Sequence, residues 1–420
     1  QFYTTAEKMV VKPDKNIVAI IGGGNCSHIM AGVLNAYNSN ITVRILTRRP
    51  NEWGKTVTVK KVYVDDAKDI VGKVSLASDD PAKVIPGAGW IIVSSPVHPH
   101  EEMLNSIATY ISDYAYLGTI FAQGGFDWKA KKMIAAQSGR LSHVAIFGCQ
   151  HIPWSCRTIK YGNEVAWLGV KQYLNVCLSI DASDSSFAKD FQDQFAKEYG
   201  TLCKIPVRII GHFLNISLVS SNQIIHPGRL WSLFEDYKEG DSYGKDEVEE
   251  SFYLKIDDKS ANTMQALSDD ILRIKAAIKQ QCNIDLKQVR DLGERIADMY
   301  GDEVTDKSSL KAIMSSNTGW KKHTVGYLEH SSDKSKVIPD FTTRYMWDDI
   351  PFGLVIIKSI AEIFDVKTPT TDKVILWAQK IMKREYLVVD SKGAHLTGKD
   401  IKSTGACFNF GFTTKESLVA

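Results

Sequence analysis

The sequence predicts an α/β domain with a doubly wound parallel sheet, followed by a second domain that is all-α. Apolar runs of strand length alternate with helical periods as far as about residue 200, and the first of these runs enters a glycine turn. Beyond about residue 208, helical periods replace the strand runs. A chain of 420 residues is long enough to build two cores. We therefore expect domains over residues 1–208 and 209–420.

The first strand–turn–helix unit predicts a dinucleotide-binding site of the Rossmann type. The apolar run Ile17–Ile21 leads into three glycines, and a helical period follows over Ile29–Leu34. In the spacing Gly22-x-Gly24-x-x-Ser27, the first glycine allows the tight turn, the second lets the backbone approach a pyrophosphate, and the small serine permits close helix–strand packing. The helix start offers free N–H groups to the phosphates. An ordinary βα turn is the alternative interpretation.

The next strand bears on the choice of cofactor. Ile41–Leu46 ends without the acidic residue that usually binds the ribose 2′-hydroxyl of NAD. Arg48 and Arg49 follow instead, and guanidinium groups can hold a 2′-phosphate, so NADP(H) is favoured while NAD(H) stays open. A solvated loop is the alternative. The complete predicted cofactor site comprises the glycine turn, the two arginines and the proline that ends a later strand: Gly22, Gly24, Asn25, Cys26, Ser27, Arg48, Arg49 and Pro96.

Composition argues against several classes of partner. A net charge of +2 provides no strongly basic surface for nucleic acid or a membrane, and no apolar run reaches the length of a membrane span. Seven cysteines without a CxxC pair indicate reduced thiols in a cytoplasmic setting, rather than a disulfide framework or a zinc site. The polar segment before Lys15 is not typical of a signal peptide.

Two further segments of the first domain have a local interpretation. Thr56–Val64 alternates as a hairpin-like excursion. His98, His100 and two glutamates follow the buried strand Trp90–Pro96, and they resemble a metal site at first sight. Because no third distant ligand accompanies them, we predict no metal, and we expect this loop to border the cofactor crevice at the carboxyl end of the sheet.

Most of the second domain is predicted to be helical packing. Residues at steps of three and four between Met264 and Ile278 form a one-sided apolar stripe, which indicates core. Two stretches depart from this pattern with polar groups. In the first, Pro227 predicts an interruption of the helix at His226, so that the histidine can face a cleft. A buried histidine with one satisfied hydrogen bond is the alternative.

The second stretch is rich in polar residues immediately before a helix. It runs from Ile338 to Gly353 and contains Arg344, an aspartate pair that ends at Asp349, and a proline. A helix N-cap formed by one of the aspartates, with Pro351 in the first turn, is the alternative to a functional site.

These stretches resemble the opine dehydrogenase family, and octopine dehydrogenases of invertebrates in particular. The matching pieces occur in the family order from residue 17 to about residue 412, so that the similarity extends over nearly the whole chain. They are Gly22–Asn25 with His28, Pro153–Arg157, His226–Pro227, Pro339–Tyr345, Asp349–Pro351 and Leu396–Asp400.

The resemblance implies a fold, a reaction and a site. The helical domain would be a phosphogluconate dehydrogenase-like body. A 2-oxo acid, usually pyruvate, would condense with the amino group of an amino acid, and hydride from NAD(P)H would reduce the imine in the crevice between the domains. His226 would be the acid/base, Asp349 its orienting partner and Arg344 the group that binds the substrate carboxylate, as imidazole and guanidinium chemistry allow. Gln150, Trp154 and Cys156 would contact substrate. The resemblance is compatible with a monomer or a homodimer.

The chain departs from the family pattern at one informative position. Octopine-forming relatives carry a glutamate before the Pro-Trp stretch, where this chain has Gln150, and their next two residues are replaced by His151 and Ile152. A cationic guanidinium substrate favours a carboxylate partner. Arginine is therefore disfavoured as amino donor, and a small neutral donor such as alanine, glycine, β-alanine or taurine is favoured.

Two other classes compete with this interpretation. A ketopantoate reductase-like or glycerol-phosphate dehydrogenase-like enzyme has the same pairing of domains, but such enzymes typically place a lysine near the substrate. A redox sensor that binds NADP(H) without chemistry would require His226 and Asp349 to lie far apart.

Overall fold

The chain folds into two compact units. The computed structural model describes residues 12–62, 67–179, 185–320 and 324–419. The first unit falls within residues 1–122 and 126–216, and the second within residues 123–125 and 217–420. The domain ranges predicted from sequence, 1–208 and 209–420, differ from the bounds of these units and stay predictions. Residues 1–11 of the predicted polar N-terminal segment and residues 63–64 of the predicted excursion lie outside the described residues.

The first unit alternates strands and helices along the chain. Its strands are β1 (Asp14–Ile21), β2 (Thr42–Leu46), β3 (Thr56–Lys61), β4 (Ile70–Lys73), β5 (Leu76–Ser78), β6 (Ala88–Val93), β7 (Tyr116–Thr119), β8 (Ala145–Cys149), β9 (Trp154–Lys160), β10 (Glu164–Val170), β11 (Leu174–Ser179) and β12 (Val207–Ile209). Its helices are α1 (Asn25–Tyr37), α2 (Pro81–Val84), α3 (His100–Ile107), α4 (Phe126–Ala135), α5 (Ser185–Cys203) and α6 (Leu214–Ser217), the last of which ends one residue into the second unit.

The main sheet has the predicted doubly wound architecture. Its eight strands lie in the order β12-β11-β8-β7-β6-β1-β2-β5, and the six from β8 to β5 run parallel. The strand order reverses at β1, where Ile20 pairs with Ile45 on one side and Ile92 on the other. Open α/β sheets bind ligands at the carboxyl ends of the strands at such a point. The glycine turn follows β1, so it lies at this position.

Both faces of this sheet are buried, which explains why its strands read as continuous apolar runs. In β1, Val18 and Ile20 belong to one apolar cluster, while Ala19 and Ile21 belong to a second. The successive side chains of a strand point to opposite faces, so each face has its own core.

A second sheet in this unit combines segments that are distant in sequence. Its order is β4-β3-β10-β9, with β3 parallel to β10 and antiparallel to β4. The pairing of β3 with β4 gives the predicted excursion a hairpin partner. No sequence pattern predicted the β9–β10 hairpin, in which Trp154 and Cys156 are buried while Ser155 and Arg157 are exposed.

The second unit is mainly helical. Its helices are α7 (Asn222–Phe234), α8 (Asp258–Cys282), α9 (Leu292–Tyr300), α10 (Leu310–Ser316), α11 (Arg344–Trp347), α12 (Val355–Ile363), α13 (Pro369–Ile381) and α14 (Lys415–Val419). The predicted stripe of α8 from Met264 to Ile278 is buried. The expectation that strands end near residue 208 is corrected by two small antiparallel sheets, whose strands are too short for a periodic pattern: β13 (Tyr243–Gly244), β14 (Tyr327–Glu329), β15 (Lys336–Pro339), β16 (Val388–Asp390) and β17 (Gly393–His395).

The predicted interruption at His226 is wrong, because α7 continues through His226 and Pro227. The proline removes the N–H that would bond the carbonyl of Gln223. Almost the whole helix from Gln223 to Phe234 is nevertheless buried. Packing of both its ends outweighs the loss of one backbone hydrogen bond, which is how tertiary context overrides local propensity.

Candidate active site

A buried histidine–aspartate pair joins two distant parts of the second unit. Nδ1 of His226 lies 2.7 Å from Oδ2 of Asp349, although the residues are 123 positions apart. On the other side of the ring, Nε2 lies 2.8 Å from the hydroxyl oxygen of Tyr253. Each member of the pair is 2% exposed. Because an ionised aspartate only accepts hydrogen bonds, Nδ1 carries the proton and the lone pair of Nε2 faces the Tyr253 hydroxyl in the neutral ring.

An irregular turn positions Asp349. After α11 the backbone forms a π-type turn over Ile350–Leu354, in which the Leu354 N–H donates to the Asp349 carbonyl at 2.9 Å. The turn kinks at Phe352 before it enters α12. Asp349 occupies the N-cap position, but its side chain makes no capping hydrogen bond and instead accepts from His226. The predicted alternative of a simple capping aspartate is therefore wrong for Asp349. Single π turns occur frequently at functional sites.

Aromatic rings enclose the imidazole. The Tyr345 ring lies over one face of His226 at 3.9 Å between centroids, and Phe252 meets the ring edge-on at 5.4 Å. Tyr253 stacks on Trp320 at 4.6 Å, and the Trp320 indole donates to the Tyr300 hydroxyl at 2.9 Å. None of these rings had a role predicted from sequence. Tyr345 was within a matching motif, whereas Tyr253 lies in a loop before α8 that carries no pattern.

Arg344 begins α11, five residues before Asp349, and its side chain is exposed. Among the residues that the structure describes, no carboxylate forms an ion pair with it. Burial raises the pKa of the Tyr253 phenol well above its usual value, and the charge of Arg344 opposes that rise. The guanidinium therefore acts on the same group that contacts His226, while its own hydrogen-bond donors stay available to a ligand.

The glycine turn of the first unit has the shape of a phosphate cradle. Gly22 has a φ of +134°, which only glycine adopts readily. Gly24 is the N-cap residue of α1, and no side chain caps this helix. A Cβ added at Gly24 would meet nothing within 4 Å, so the space in front of the free N–H groups is open. The hydroxyls of Ser27 and Ser94 lie 2.6 Å apart and join α1 to the end of β6. These residues fit a dinucleotide pyrophosphate.

Two residues predicted for the cofactor site instead show contacts with β9. Asn25 accepts hydrogen bonds at 2.9 Å from the backbone N–H and the hydroxyl of Thr158. The thiol of Cys26 forms a hydrogen bond with the thiol of Cys156, which together with burial raises the pKa of Cys156. The structure thus brings together a predicted cofactor residue, Cys26, and a predicted substrate residue, Cys156. These contacts attach the first two residues of α1 to β9.

The remaining predicted residues of this unit lie in different settings. Arg48 and Pro96 are exposed. Arg49 is also exposed, and its guanidinium lies 3.5 Å from the centroid of the Tyr161 ring and 3.4 Å from a Glu52 oxygen. A residue that stacks and pairs in this way has less freedom to clamp a phosphate than an unpaired one.

Gln150 and Trp154 follow β8 and are both buried. The Gln150 side-chain oxygen accepts from the Asn175 amide at 2.7 Å, so this amide is oriented by a neighbour. The indole nitrogen of Trp154 has no hydrogen-bond partner among the described residues.

The predicted loop of histidines is built for packing. His100 is completely buried, its Nε2 lies 3.3 Å from the Ser95 carbonyl oxygen, and its ring contacts Phe126 edge-on. Burial is the main cause that lowers the pKa of His100 to about 3, so the ring stays neutral. Within the described parts of the chain, no three histidine, cysteine or acidic side chains come together as a group that could hold a metal ion.

Known proteins are similar to this chain in sequence and architecture. The family model described as NAD/NADP octopine/nopaline dehydrogenase, alpha-helical domain, matches residues 209–382. Tauropine dehydrogenase of Arabella iricolor is 30% identical over 96% of this chain and 100% of its own length. The chain belongs to the opine dehydrogenase family. Opine dehydrogenase of Haliotis discus hannai is 29% identical over 96% of this chain and 98% of its own length.

Solved structures agree with this membership. Octopine dehydrogenase in complex with NADH and agmatine is 26% identical to the chain, with a TM-score of 0.82 over 96% of this chain and 97% of that one. The complex with NADH and L-arginine gives the same values, and the complex with NADH and pyruvate gives 25% and 0.79. The chain is an NAD(P)-dependent oxidoreductase of this family, and the predicted cofactor, NAD(H) or NADP(H), is confirmed at that level.

The rival architecture predicted from sequence is also visible, at a greater distance. A ketopantoate reductase from Ralstonia eutropha matches with a TM-score of 0.52 and 12% identity, which supports a shared fold alone. Separately, no helix in the described ranges is both long enough and apolar enough to cross a membrane.

Proposed function

We propose that this chain joins a 2-oxo acid, with pyruvate as the first candidate, to the amino group of an amino acid and reduces the product to a secondary-amine opine, reversibly. The observation that carries the proposal is the buried hydrogen bond between His226 and Asp349, with the exposed Arg344 on the preceding helix. Solved octopine dehydrogenase complexes that contain NADH with pyruvate or L-arginine support this substrate class.

The pair is suited to the proton transfers that condensation requires. Amine attack on the carbonyl needs a neutral amine, and loss of water needs a proton on the departing oxygen. His226 can take the first proton and supply the second, while Asp349 fixes the tautomer and stabilises the imidazolium. The bound dinucleotide supplies the hydride that reduces the resulting imine. Burial of the pair keeps bulk water away from these steps.

Arg344 is proposed to bind the carboxylate of the 2-oxo acid. A planar guanidinium offers two parallel N–H donors to a carboxylate, and this one is not committed to an ion pair with any described residue. Such an anchor would orient the keto group without taking part in proton transfer. The exposed position of Arg344 makes its contribution to stability small.

For the cofactor, we propose that the pyrophosphate lies against Gly24 and the start of α1. The open space at Gly24 and the uncapped helix support this assignment. The predicted 2′-phosphate clamp at Arg48 and Arg49 stays a proposal, in which Arg48 is the freer group because Arg49 stacks on Tyr161.

For the amino donor, we propose a small neutral amino acid or taurine rather than arginine. The Gln150 oxygen accepts from Asn175, so we assign the side-chain N–H groups of Gln150 to the ligand. These donors suit a carboxylate or sulfonate, whereas a guanidinium has only donors of its own. The relative named tauropine dehydrogenase supports taurine among the candidates.

Initial rates would test the proposal. Oxidation of NADH and of NADPH would be followed separately with pyruvate and with alanine, glycine, β-alanine, taurine or arginine, and each reaction would be compared with one that lacks the donor. We expect donor-dependent turnover, with arginine among the poorer donors. A strong preference for arginine would reject the donor assignment, and turnover with ketopantoate but no donor would favour the rival reductase.

A further inference from the structure

The surroundings of His226 leave it no free nitrogen. Asp349 holds Nδ1 and the Tyr253 hydroxyl holds Nε2, at 2.7 and 2.8 Å. Tyr345 covers one ring face, and Phe252 approaches edge-on. A histidine that is 2% exposed and bonded at both nitrogens cannot meet a substrate oxygen directly. Either Tyr253 moves away, or the proton passes through its hydroxyl.

The packing of Tyr253 opposes movement. Its ring is 7% exposed and stacks on Trp320, with 29° between the ring planes. Trp320 is itself tied to Tyr300 by the hydrogen bond from its indole N–H. Removing the ring from this stack would expose apolar area and leave Nε2 of His226 unpaired in a buried site, and both changes are unfavourable. The second route leaves the stack intact.

We propose that Tyr253 is a catalytic residue whose hydroxyl passes the proton between His226 and the oxygen of the substrate. The proposal rests on the proposed function, because it names the path of the proton in that reaction. The imidazolium N–H donates to the phenolic oxygen while the phenolic O–H donates to the departing oxygen. The phenol loses one proton and gains another in the same step, and the net change is one proton moved from His226 to substrate.

Two further observations fit this route. Burial raises the pKa of the phenol well above its usual value, so the hydroxyl stays protonated and able to donate. Arg344 acts electrostatically on the same phenol. The hydroxyl therefore lies within the influence of the group proposed to bind the substrate carboxylate, where the carbon that bears the departing oxygen is expected.

Removal of one hydroxyl tests the relay. In Tyr253→Phe the ring can still stack on Trp320, and we expect kcat to fall about 10²-fold while the Kd for NADH and the KM for pyruvate stay unchanged. Tyr300→Phe is the matched control, since it removes the hydroxyl of a half-buried tyrosine in the same aromatic cluster and is expected to keep kcat. Wild-type kcat in Tyr253→Phe would overturn the proposal.

A second replacement separates a relay from a structural role. The replacement Tyr253→difluorotyrosine keeps the hydroxyl and nearly the same shape but makes the phenol more acidic. We expect the pH profile of kcat and its solvent deuterium isotope effect to change, which packing alone would not cause. If Tyr253→Phe fails to fold, this replacement decides, and an unchanged profile overturns the relay.

The two proposals fail in different ways. If the wild-type chain turns over and His226→Ala does not, while both replacements of Tyr253 behave as wild type, the relay is rejected and the proposed function stands. If the wild-type chain shows no turnover with any tested pair of 2-oxo acid and amino donor, both proposals are rejected.

Discussion

The glycine turn of the first unit and the His226–Asp349 pair of the second unit are built in opposite ways. The turn is six consecutive residues, and its proposed contact with the dinucleotide depends on backbone N–H groups and on the open space at Gly24. The pair joins residues 123 positions apart through side chains that are enclosed by aromatic rings. A backbone site is visible in sequence as spacing, whereas a side-chain site exists only after the helices have packed.

The two regions should therefore respond differently to substitution. Changes at the turn are expected to act on dinucleotide affinity, and changes at the pair on the rate of chemistry. If changes at either region altered both quantities equally, the division of roles would be wrong.

The largest effect is expected at the pair. His226→Ala and Asp349→Asn should each lower kcat by about 10²–10⁴-fold, because the first removes the acid/base and the second removes the charge that orients it. Fluorescence titration should show an unchanged Kd for NADH in both variants. Full turnover in both variants with intact nucleotide binding would contradict the assignment.

A smaller effect is expected at Arg344. Arg344→Ala should raise the KM for pyruvate by about 10–10²-fold, since it removes hydrogen bonds between charged groups. The KM for pyruvate of Arg344→Lys should lie between those of the wild type and Arg344→Ala, because lysine restores the charge but not the paired donors. The side chain is exposed, so the melting temperature should not change. An unchanged KM in Arg344→Ala would place the carboxylate elsewhere.

A buried aspartate in the first unit offers a contrast with Asp349. Among the described residues, Oδ1 of Asp127 has no hydrogen-bond partner. Burial raises the pKa of Asp127 from the usual 3.8 to about 6. The folded state therefore binds the proton more tightly than the unfolded state. The contribution of Asp127 to stability is therefore fully present below pH 3.8 and is lost as the pH rises through 6, by about 3 kcal/mol at most.

Asp127→Asn should thus stabilise the chain near pH 8 and leave its stability unchanged near pH 4. Thermal or urea unfolding at the two pH values would measure the difference. Asp79→Asn, at an exposed aspartate, serves as the control with no expected effect. An equal gain at both pH values would show that the charge of Asp127 is not the cause.

The smallest effects separate two adjacent glycines. Gly24→Ala should weaken NADH binding about tenfold without loss of stability, because its new Cβ enters the open space in front of the helix. At Gly23, a Cβ would collide with the Tyr161 hydroxyl and approach Thr47, so Gly23→Ala should cost about 1–3 kcal/mol of stability even without nucleotide. Nucleotide titration and thermal unfolding of both variants would test this. Equal losses of NADH affinity and of stability in the two variants would contradict the different roles assigned to Gly23 and Gly24.

What could be predicted from sequence followed the same division. The glycine turn, the buried strands of the main sheet and the stripe of α8 are periodic or contiguous, and the structure contains them. The continuous helix at Pro227 could not be foreseen, because local propensity indicates a break and only burial opposes it. The hydrogen bond between Tyr253 and His226 had no signal in the sequence, since it depends on how a loop packs against α7.

The site residues divide in the same way. Polar residues in a helical pattern drew attention to the stretches that contain His226, Arg344 and Asp349, but their roles came from the resemblance. No helical or strand period relates position 226 to position 349. The contact between Cys26 and Cys156 was equally invisible, as it requires the pairing of β9 in a sheet that the sequence pattern did not indicate.

The π-type turn at Ile350–Leu354 gives this enzyme an unusual sensitivity to small deletions. Its hydrogen bonds span five residues instead of four, so loss of a single codon there would let an ordinary helix form. Each residue of an α-helix turns by about 100°, and the carboxylate of Asp349 would swing away from the imidazole by that angle. Most surface loops tolerate a change in length, but at this turn a change of one residue would break the hydrogen bond between Asp349 and His226.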